Sequence, residues 1–297
     1  QLSPTERILF GISPLRRGSS FSGYRRQPDE QRGFFSDFNL DTTTLFFEGE
    51  FGEIFPNLDP DDRGSLDFGF SVGRQPVFFQ EGIMINDTLD SVGLTRDTIV
   101  IPGISPDMRV TALFAWNNVH RDDNRESGKT YLLGLFSEID LRRTTAQFDM
   151  AYVLGDEGAV NGSGDGFNWG AAAIQRFGKI NTAFRVNQSF AIDQETDAVS
   201  NGTVFFAETS LTPAYSDDVI YANAFWGIDN FSSAARSETA GGPLGRAGIL
   251  FASVGLGDYG FGLSNRADDV IGGALGYQMF FNNQRTQLVL EIGGRAD

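Results

Sequence analysis

"RGSLDFGFSVGRQ", residues 63–75, decides how this chain is read. Leu66, Phe68, Phe70 and Val72 alternate with Ser65, Asp67, Gly69 and Ser71. A period of two is the signature of a β-strand with one apolar and one wet face. The pattern recurs along the chain. In 144–154, Ala146, Phe148, Met150, Tyr152 and Leu154 oppose Gln147 and Asp149. In 167–177, Phe167, Trp169, Ala171 and Ala173 oppose Asn168 and Arg176. Further examples are 180–192, 218–228 and 285–295. About fourteen to sixteen such segments of roughly ten residues fit the chain. The deciding question is whether their apolar faces meet a protein core or lipid.

Composition narrows the answer. The 297 residues include 28 Phe, 36 Gly, one His and no Cys, and the net charge is −16. Disulfides, thiolate metal sites and cysteine nucleophiles are excluded. A Ser-His-Asp site would depend on His120, which sits in the polar run "NNVHRDDNRESGK" and is expected to be a solvated loop residue. An acidic surface of this size is a poor match for nucleic acid. No run approaches the ~20 apolar residues of a membrane-crossing helix, which leaves strands as the only candidates to cross a bilayer. The N-terminus carries no signal peptide, so export would imply that one has been removed.

The connections sort by length. Long ones at 118–128, 155–166, 193–202 and 229–246 alternate with short ones at 141–144, 177–180, 212–218, 257–258 and 282–285. Sorted hairpins place every long loop at one end of an up-and-down meander, which a Greek-key sandwich has no reason to do. The wet faces hold Asp, Glu, Arg, Asn and Gln, which a sandwich core would bury at several kcal/mol each. Trp116, Tyr131, Tyr152, Trp169, Trp226 and Tyr277 lie near strand ends, where interfacial girdles need them. The expected fold is all-β, a single transmembrane up-and-down antiparallel β-barrel over residues 1–297. It should have about sixteen strands, with fourteen to eighteen as the range. It belongs in a bacterial outer membrane, among membrane lipid and lipopolysaccharide. Hairpin parity sends the last strand towards the long-loop side, so a slip of one hairpin or a missing closing strand is expected.

The stretch 73–98 is polar yet keeps Phe78, Phe79, Ile83, Met84, Ile85 and Leu89. A solvated loop does not carry that many large apolar groups. Residues 76–96 are expected either to fold inward as a constriction or to form an outer loop packed over the barrel rim or onto a neighbouring subunit. Gly73, Arg74, Gln75, Phe79, Gly82, Asn86, Asp87, Asp90, Gly93, Thr95 and Arg96 form a run that resembles porins of the alginate-export type. That resemblance implies a large outer-membrane channel with an arginine-lined conduit for an acidic polysaccharide. The wet faces here do not follow that pattern. Acids at Glu48, Glu50, Asp67, Glu138, Asp140, Asp149, Glu208 and Glu291 stand against Arg74, Arg109, Arg176, Arg185 and Arg295.

The functional expectation is a passive channel for small polar solutes or ions, with no chemical step and no cofactor. The alternative is a structural barrel whose lumen is filled by loops or a partner protein; a homo-oligomer is equally compatible. Pore lining falls to Arg74, Asp67, Arg109, Glu138, Asp149, Arg176, Arg185, Glu208 and Glu291. The constriction falls to Gln75, Gln80, Glu81, Asn86, Asp87, Asp90 and Arg96. Asp59, Asp61 and Asp62 form a weak Ca²⁺ candidate that lacks the full EF-hand pattern.

Overall fold

The computed structural model describes residues 5–17, 20–26, 29–55, 57, 67–126, 128–156, 164–245, 248–249 and 263–297. The acidic turn at Asp59, Asp61 and Asp62 and the short connection at 257–258 lie outside the described residues, as does Leu66 of the opening strand.

The chain is an antiparallel meander. β1 (Arg7–Ile12) is followed by four short strands, β2 (Arg16–Arg17), β3 (Ser20–Phe21), β4 (Gly23–Arg25) and β5 (Gly33–Phe35). β6 (Thr42–Glu50) leads through a single helical turn, α1 (Phe51–Ile54), to β7 (Phe68–Phe79) and β8 (Ile85–Arg96). Then come β9 (Asp107–Asn117), β10 (Tyr131–Asp140), β11 (Thr144–Leu154), β12 (Gly166–Phe177), β13 (Ile180–Ala191), β14 (Gly202–Leu211) and β15 (Val219–Asp229). A two-residue strand, β16 (Ala235–Arg236), precedes β17 (Ile271–Phe281) and β18 (Thr286–Ala296). One sheet runs in the order β1-β6-β7-β8-β9-β10-β11-β12-β13-β14-β15-β17-β18, and β16 joins β8 off that path. Among the described residues no helix is long and apolar enough to cross a membrane.

Side chains sort between the two faces as the alternation predicts. Phe148 is 47 % exposed, whereas its neighbours Asp149, Ala151 and Val153 on the other face are buried. Phe114, Leu133, Phe184, Phe205, Trp226 and Leu275 continue the exposed apolar face around the sheet. Aromatic pairs bridge neighbouring strands on it, Phe114 with Tyr131 and Phe205 with Trp226. Strand direction puts Trp116, Tyr131, Tyr152, Trp169 and Trp226 at the long-loop end. Tyr277 lies towards the other end. Two of these rings send a hydroxyl into a neighbouring loop, Tyr152 to Asp165 (2.9 Å) and Tyr277 to Asp218 (2.7 Å). A ring in hydrocarbon with its polar tip in water is the usual interfacial arrangement. β18 ends at the long-loop side, as hairpin parity requires.

Inside the sheet, β7 and β8 do something the other hairpins do not. β6 pairs with β7 only as far as Leu45↔Arg74, and β9 pairs with β8 only from Asp90 onwards. Between those points the hairpin stays internally paired to Phe79↔Ile85. Residues 75–89 therefore leave the wall as a two-stranded tongue. Gly73 stands at the departure point with φ 128°, and a Cβ there would lie 2.3 Å from the Leu45 carbonyl oxygen. Only glycine fits such a backbone at such a distance.

Candidate functional site: a filled lumen above a polar vestibule

The tongue crosses the space enclosed by the sheet. Its tip is a tight turn in which Gln80, Glu81 and Gly82 all take positive φ (53°, 54° and 76°). Gln80 Nε2 donates to Asp149 Oδ2 on β11 (2.7 Å), and Glu81 faces Arg185 on β13 (3.5 Å). Contacts from the tip of the β7–β8 hairpin to β11 and β13 require the sheet to wrap around the tongue.

A second segment, 230–245, packs onto the tongue from the β15–β17 connection. The Ala234 N–H donates to the Met84 carbonyl, the Ser237 N–H to Asn86, and the Arg236 N–H to His120. β16 thereby pairs in parallel with β8, Ala235 opposite Ile85. Asn168 on β12 reaches the Ser232 carbonyl (2.7 Å), and Ser189 on β13 accepts from the Ser232 N–H (3.1 Å). Arg236 is 1 % exposed, and its guanidinium donates to the Gly82 carbonyl and to Ser233 Oγ. Burial draws its pKa down to about 10, so it is still a cation at neutral pH.

Two apolar clusters fill the remaining space. One joins Met84, Ile85, Leu89 and Ala235 to Leu113, Leu132, Phe136 and Val153 of the inner wall. The other joins Ile83, Phe231 and Leu244 to Val204, Phe206 and Phe225. Ile83, Met84, Ile85 and Leu89 are all fully buried. Each such side chain is worth roughly 1.5–3 kcal/mol relative to exposure, which an open lumen would forfeit.

His120 corrects its sequence reading. It is buried, because residues 118–126 fold back over the tongue instead of extending into solvent. Its backbone N–H donates to Asp87 Oδ2 (2.9 Å), and Nδ1 lies 2.9 Å from Asp87 Oδ1. Burial pulls the imidazole pKa down, but the hydrogen bond and charge of Asp87, with Glu238 and Glu126, outweigh it, and the net shift is upward. Nothing in a lone histidine of a polar run signals this; the partner is 33 residues away.

The other sequence-selected residues divide by position. Gln75, Gln80, Glu81, Asn86 and Asp87 lie on the tongue; Asp90 and Arg96 belong to the part of β8 that stays in the wall. Arg74 forms a two-point pair with Asp90 (2.7 and 2.9 Å) beside a cleft on the long-loop side that also contains His120 and Glu238. Arg96 stacks over Phe68. Glu138 and Asp149 line a cavity under the tongue, together with Arg109, which is bonded to Asp97. Arg185, buried on β13, pairs with Glu208 (3.0 Å). Glu291 accepts from Tyr221 (2.7 Å). Asp67 and Arg176 are exposed, the latter bonded to the Gly178 carbonyl. Sequence reasoning missed Arg236, Asp122 and Ser233, which brace the second segment.

On the short-loop side of the tongue the inner wall stays polar and open. A cavity of ≈ 960 Å³ is bounded by Arg7, Ser71, Gly93, Thr95, Arg109 and Thr111, with Phe79 of the tongue above it. A second, of ≈ 350 Å³, holds Asn181, Thr209, Tyr221, Asn223 and Gln278. Among the described residues no cluster of three or more His, Asp or Glu could hold a metal ion.

An exposed apolar face, aromatic strand ends and a polar inner wall define the class: a transmembrane antiparallel β-barrel of the outer-membrane kind, with an internal tongue packed against its inner wall. No family model matches the chain, and no characterised protein matches it in sequence. Among solved structures it is similar to Wzi, an outer-membrane protein involved in group 1 capsule assembly in Escherichia coli and described as a carbohydrate-binding β-barrel. The TM-score is 0.44 at 12 % identity, over 99 % of this chain and 65 % of that one. The chain thus spans a little under two thirds of that protein's length.

Proposed function

We propose that this outer-membrane barrel is closed to free diffusion at rest. In this reading the chain is a non-enzymatic filled barrel. Small polar solutes or ions reach the vestibule from the short-loop side and stop at the tongue. The observation that carries it is the pair of apolar clusters joining the tongue to opposite parts of the inner wall. A passive channel is the second reading, and the polar cavity of ≈ 960 Å³ is what speaks for it.

Planar-bilayer recording separates the two. The closed-barrel reading expects a silent membrane from folded, heat-modifiable protein. It expects discrete steps once residues 231–245 are replaced by a short Gly/Ser linker. Steady open steps from the unaltered protein would overturn it in favour of the channel.

A further inference from the structure

The connection between β1 and β6, residues 13–41, carries surface that the filled lumen does not use. Strand direction puts it at the long-loop end, the outer-leaflet side of such a barrel. Residues 13–28 hold Arg16, Arg17, Arg25 and Arg26 and no acid, in a chain of net charge −16. The connection is folded onto its own base. Buried Asn39 donates through Nδ2 to the carbonyls of Arg16 (2.7 Å) and Asp37 (3.0 Å), and its N–H donates to Pro14 (3.1 Å). Ser22 Oγ accepts from the Asp37 N–H (2.8 Å). These bonds anchor the hairpin β4–β5, in which Tyr24 opposes Phe34. Both rings are turned outward, 60 % and 74 % exposed. Arg25, on the other face, lies over the Phe35 ring at 4.4 Å.

Arg26 and Arg32 come one place beyond the Arg25↔Gly33 pair, on the two sides of the hairpin's end. Strand alternation continues the Tyr24/Phe34 face to them. Both are exposed, and no ion pair among the described residues includes either guanidinium. Asp29 and Glu30, exposed in the turn between them, pair with neither. Like charges placed opposite one another weaken a hairpin unless an anion serves both. Below the hairpin, Phe10 and Leu45 are cross-strand partners on the exposed apolar face of the wall, and Leu40, just ahead of β6, is exposed as well. Free cations and bare rings above a lipid-facing wall suit an amphiphile with a phosphate headgroup. A soluble anion would leave the rings in water, and a neutral lipid would leave the arginines unpaired. We infer that the β4–β5 hairpin docks the phosphorylated headgroup of outer-leaflet lipopolysaccharide. Arg26 and Arg32 donate to phosphate oxygens, and Tyr24 and Phe34 lie at headgroup level. The site is outside the lumen, so it stands or falls independently of whether the barrel conducts.

Native mass spectrometry of the folded barrel in neutral detergent tests it, with lipid A, the phosphorylated lipid part of lipopolysaccharide, as the titrant. One tightly retained lipid per barrel is expected, with dephosphorylated lipid A weaker by about tenfold or more. The Arg26→Gln/Arg32→Gln double variant removes both free cations and should weaken lipid A by about ten- to thirtyfold. Tyr24→Ser/Phe34→Ser should weaken the two lipids by a similar factor, since the rings meet the part they share. Arg142→Gln/Arg143→Gln makes the same charge change in an exposed short turn at the opposite end of the barrel. It should alter affinity by less than about twofold. No retained lipid, equal retention of the dephosphorylated form, or an equal loss in the Arg142/Arg143 variant would each overturn the site; the last would mean diffuse charge alone. Release of lipid A by an equal concentration of inorganic phosphate would also overturn it, leaving a plain anion site. Loss of heat-modifiable migration would identify a variant that has not folded, and Arg26→Gln alone then carries the comparison.

Discussion

Asp87 and His120 hold the tongue to the wall loop through both oxygens of one carboxylate, Oδ2 on the backbone N–H and Oδ1 on the ring nitrogen, each at 2.9 Å. Glu238 lies 3.8 Å from the other ring nitrogen, and Glu126 and Arg74 share the same cleft. His120 titrates above its ordinary value, so the attached state holds its proton more tightly than a detached one. The resulting stabilisation is fully present below about pH 6.5 and is lost as pH rises through the higher folded value. Amide exchange at residues 80–89 and 231–237, corrected for intrinsic rates, should therefore show protection falling as pH rises above about 6.5. His120→Gln should flatten that dependence. An equal slope in the variant would remove His120 from the explanation.

Gly73 makes the inward departure of the tongue sterically feasible. At φ 128° with the Leu45 carbonyl 2.3 Å from any Cβ, Gly73→Ala combines backbone strain with a clash against main chain that cannot rotate away. A loss of roughly 2–4 kcal/mol is expected in urea unfolding from detergent. Gly69 on the same strand has nothing nearer than 3.9 Å and an ordinary φ, so Gly69→Ala should cost under about 1 kcal/mol. Equal costs would mean that the bend does not depend on Gly73.

Arg236 ties the second segment to the tongue tip. Its fork serves the Gly82 carbonyl and Ser233 Oγ in a site without water access. Arg236→Met leaves those acceptors short of a donor and should cost roughly 2–4 kcal/mol, most of it at the segment itself. Protease cleavage within 231–245 should become fast, with the strands still resistant. Arg236→Lys keeps the charge but not the planar fork and should fall between the two. Unchanged resistance in Arg236→Met would show that the apolar clusters hold the segment alone.

How much of this was legible in the sequence depends on the range of the interactions. Strand faces are local: Phe148 and Asp149 differ by one position, and period two alone assigns them to opposite sides of the sheet. Loop sorting is equally local, which is why the meander and its parity could be read directly. The large apolar residues between 78 and 89 in a polar run flagged a segment that needed covering. What covers it could not be read, because Phe231, Leu244 and Arg236 lie about 150 residues downstream in a stretch without periodicity. His120 shows the same limit, since burial by a returning loop leaves no trace in neighbouring residue types. The pairing of Arg185 with Glu81 likewise follows from wrapping of the sheet, not from spacing, whereas Glu208 is its diagonal neighbour on the adjacent strand β14.

The assignment of faces to lipid and lumen can be tested on two adjacent residues. Phe148 lies at the middle of β11, exposed, opposite Ser137 and Ala171 on the outer face. Gln147 points into the cavity beneath the tongue and donates to Glu138 at 2.8 Å. A guanidinium at position 148 would sit in hydrocarbon, at a cost of roughly 2–4 kcal/mol near the bilayer midplane. One at position 147 would meet water and the Glu138 carboxylate, and should change stability by less than about 1 kcal/mol. Urea-dependent folding into lipid vesicles measures both. A large loss for Phe148→Arg with a small one for Gln147→Arg fixes the lipid side. In lipid-free detergent the difference should shrink, because a micelle deforms around a charge more readily than a bilayer does. A neutral Phe148→Arg in vesicles would mean that the Phe face meets something other than hydrocarbon, and the barrel assignment would fall with it.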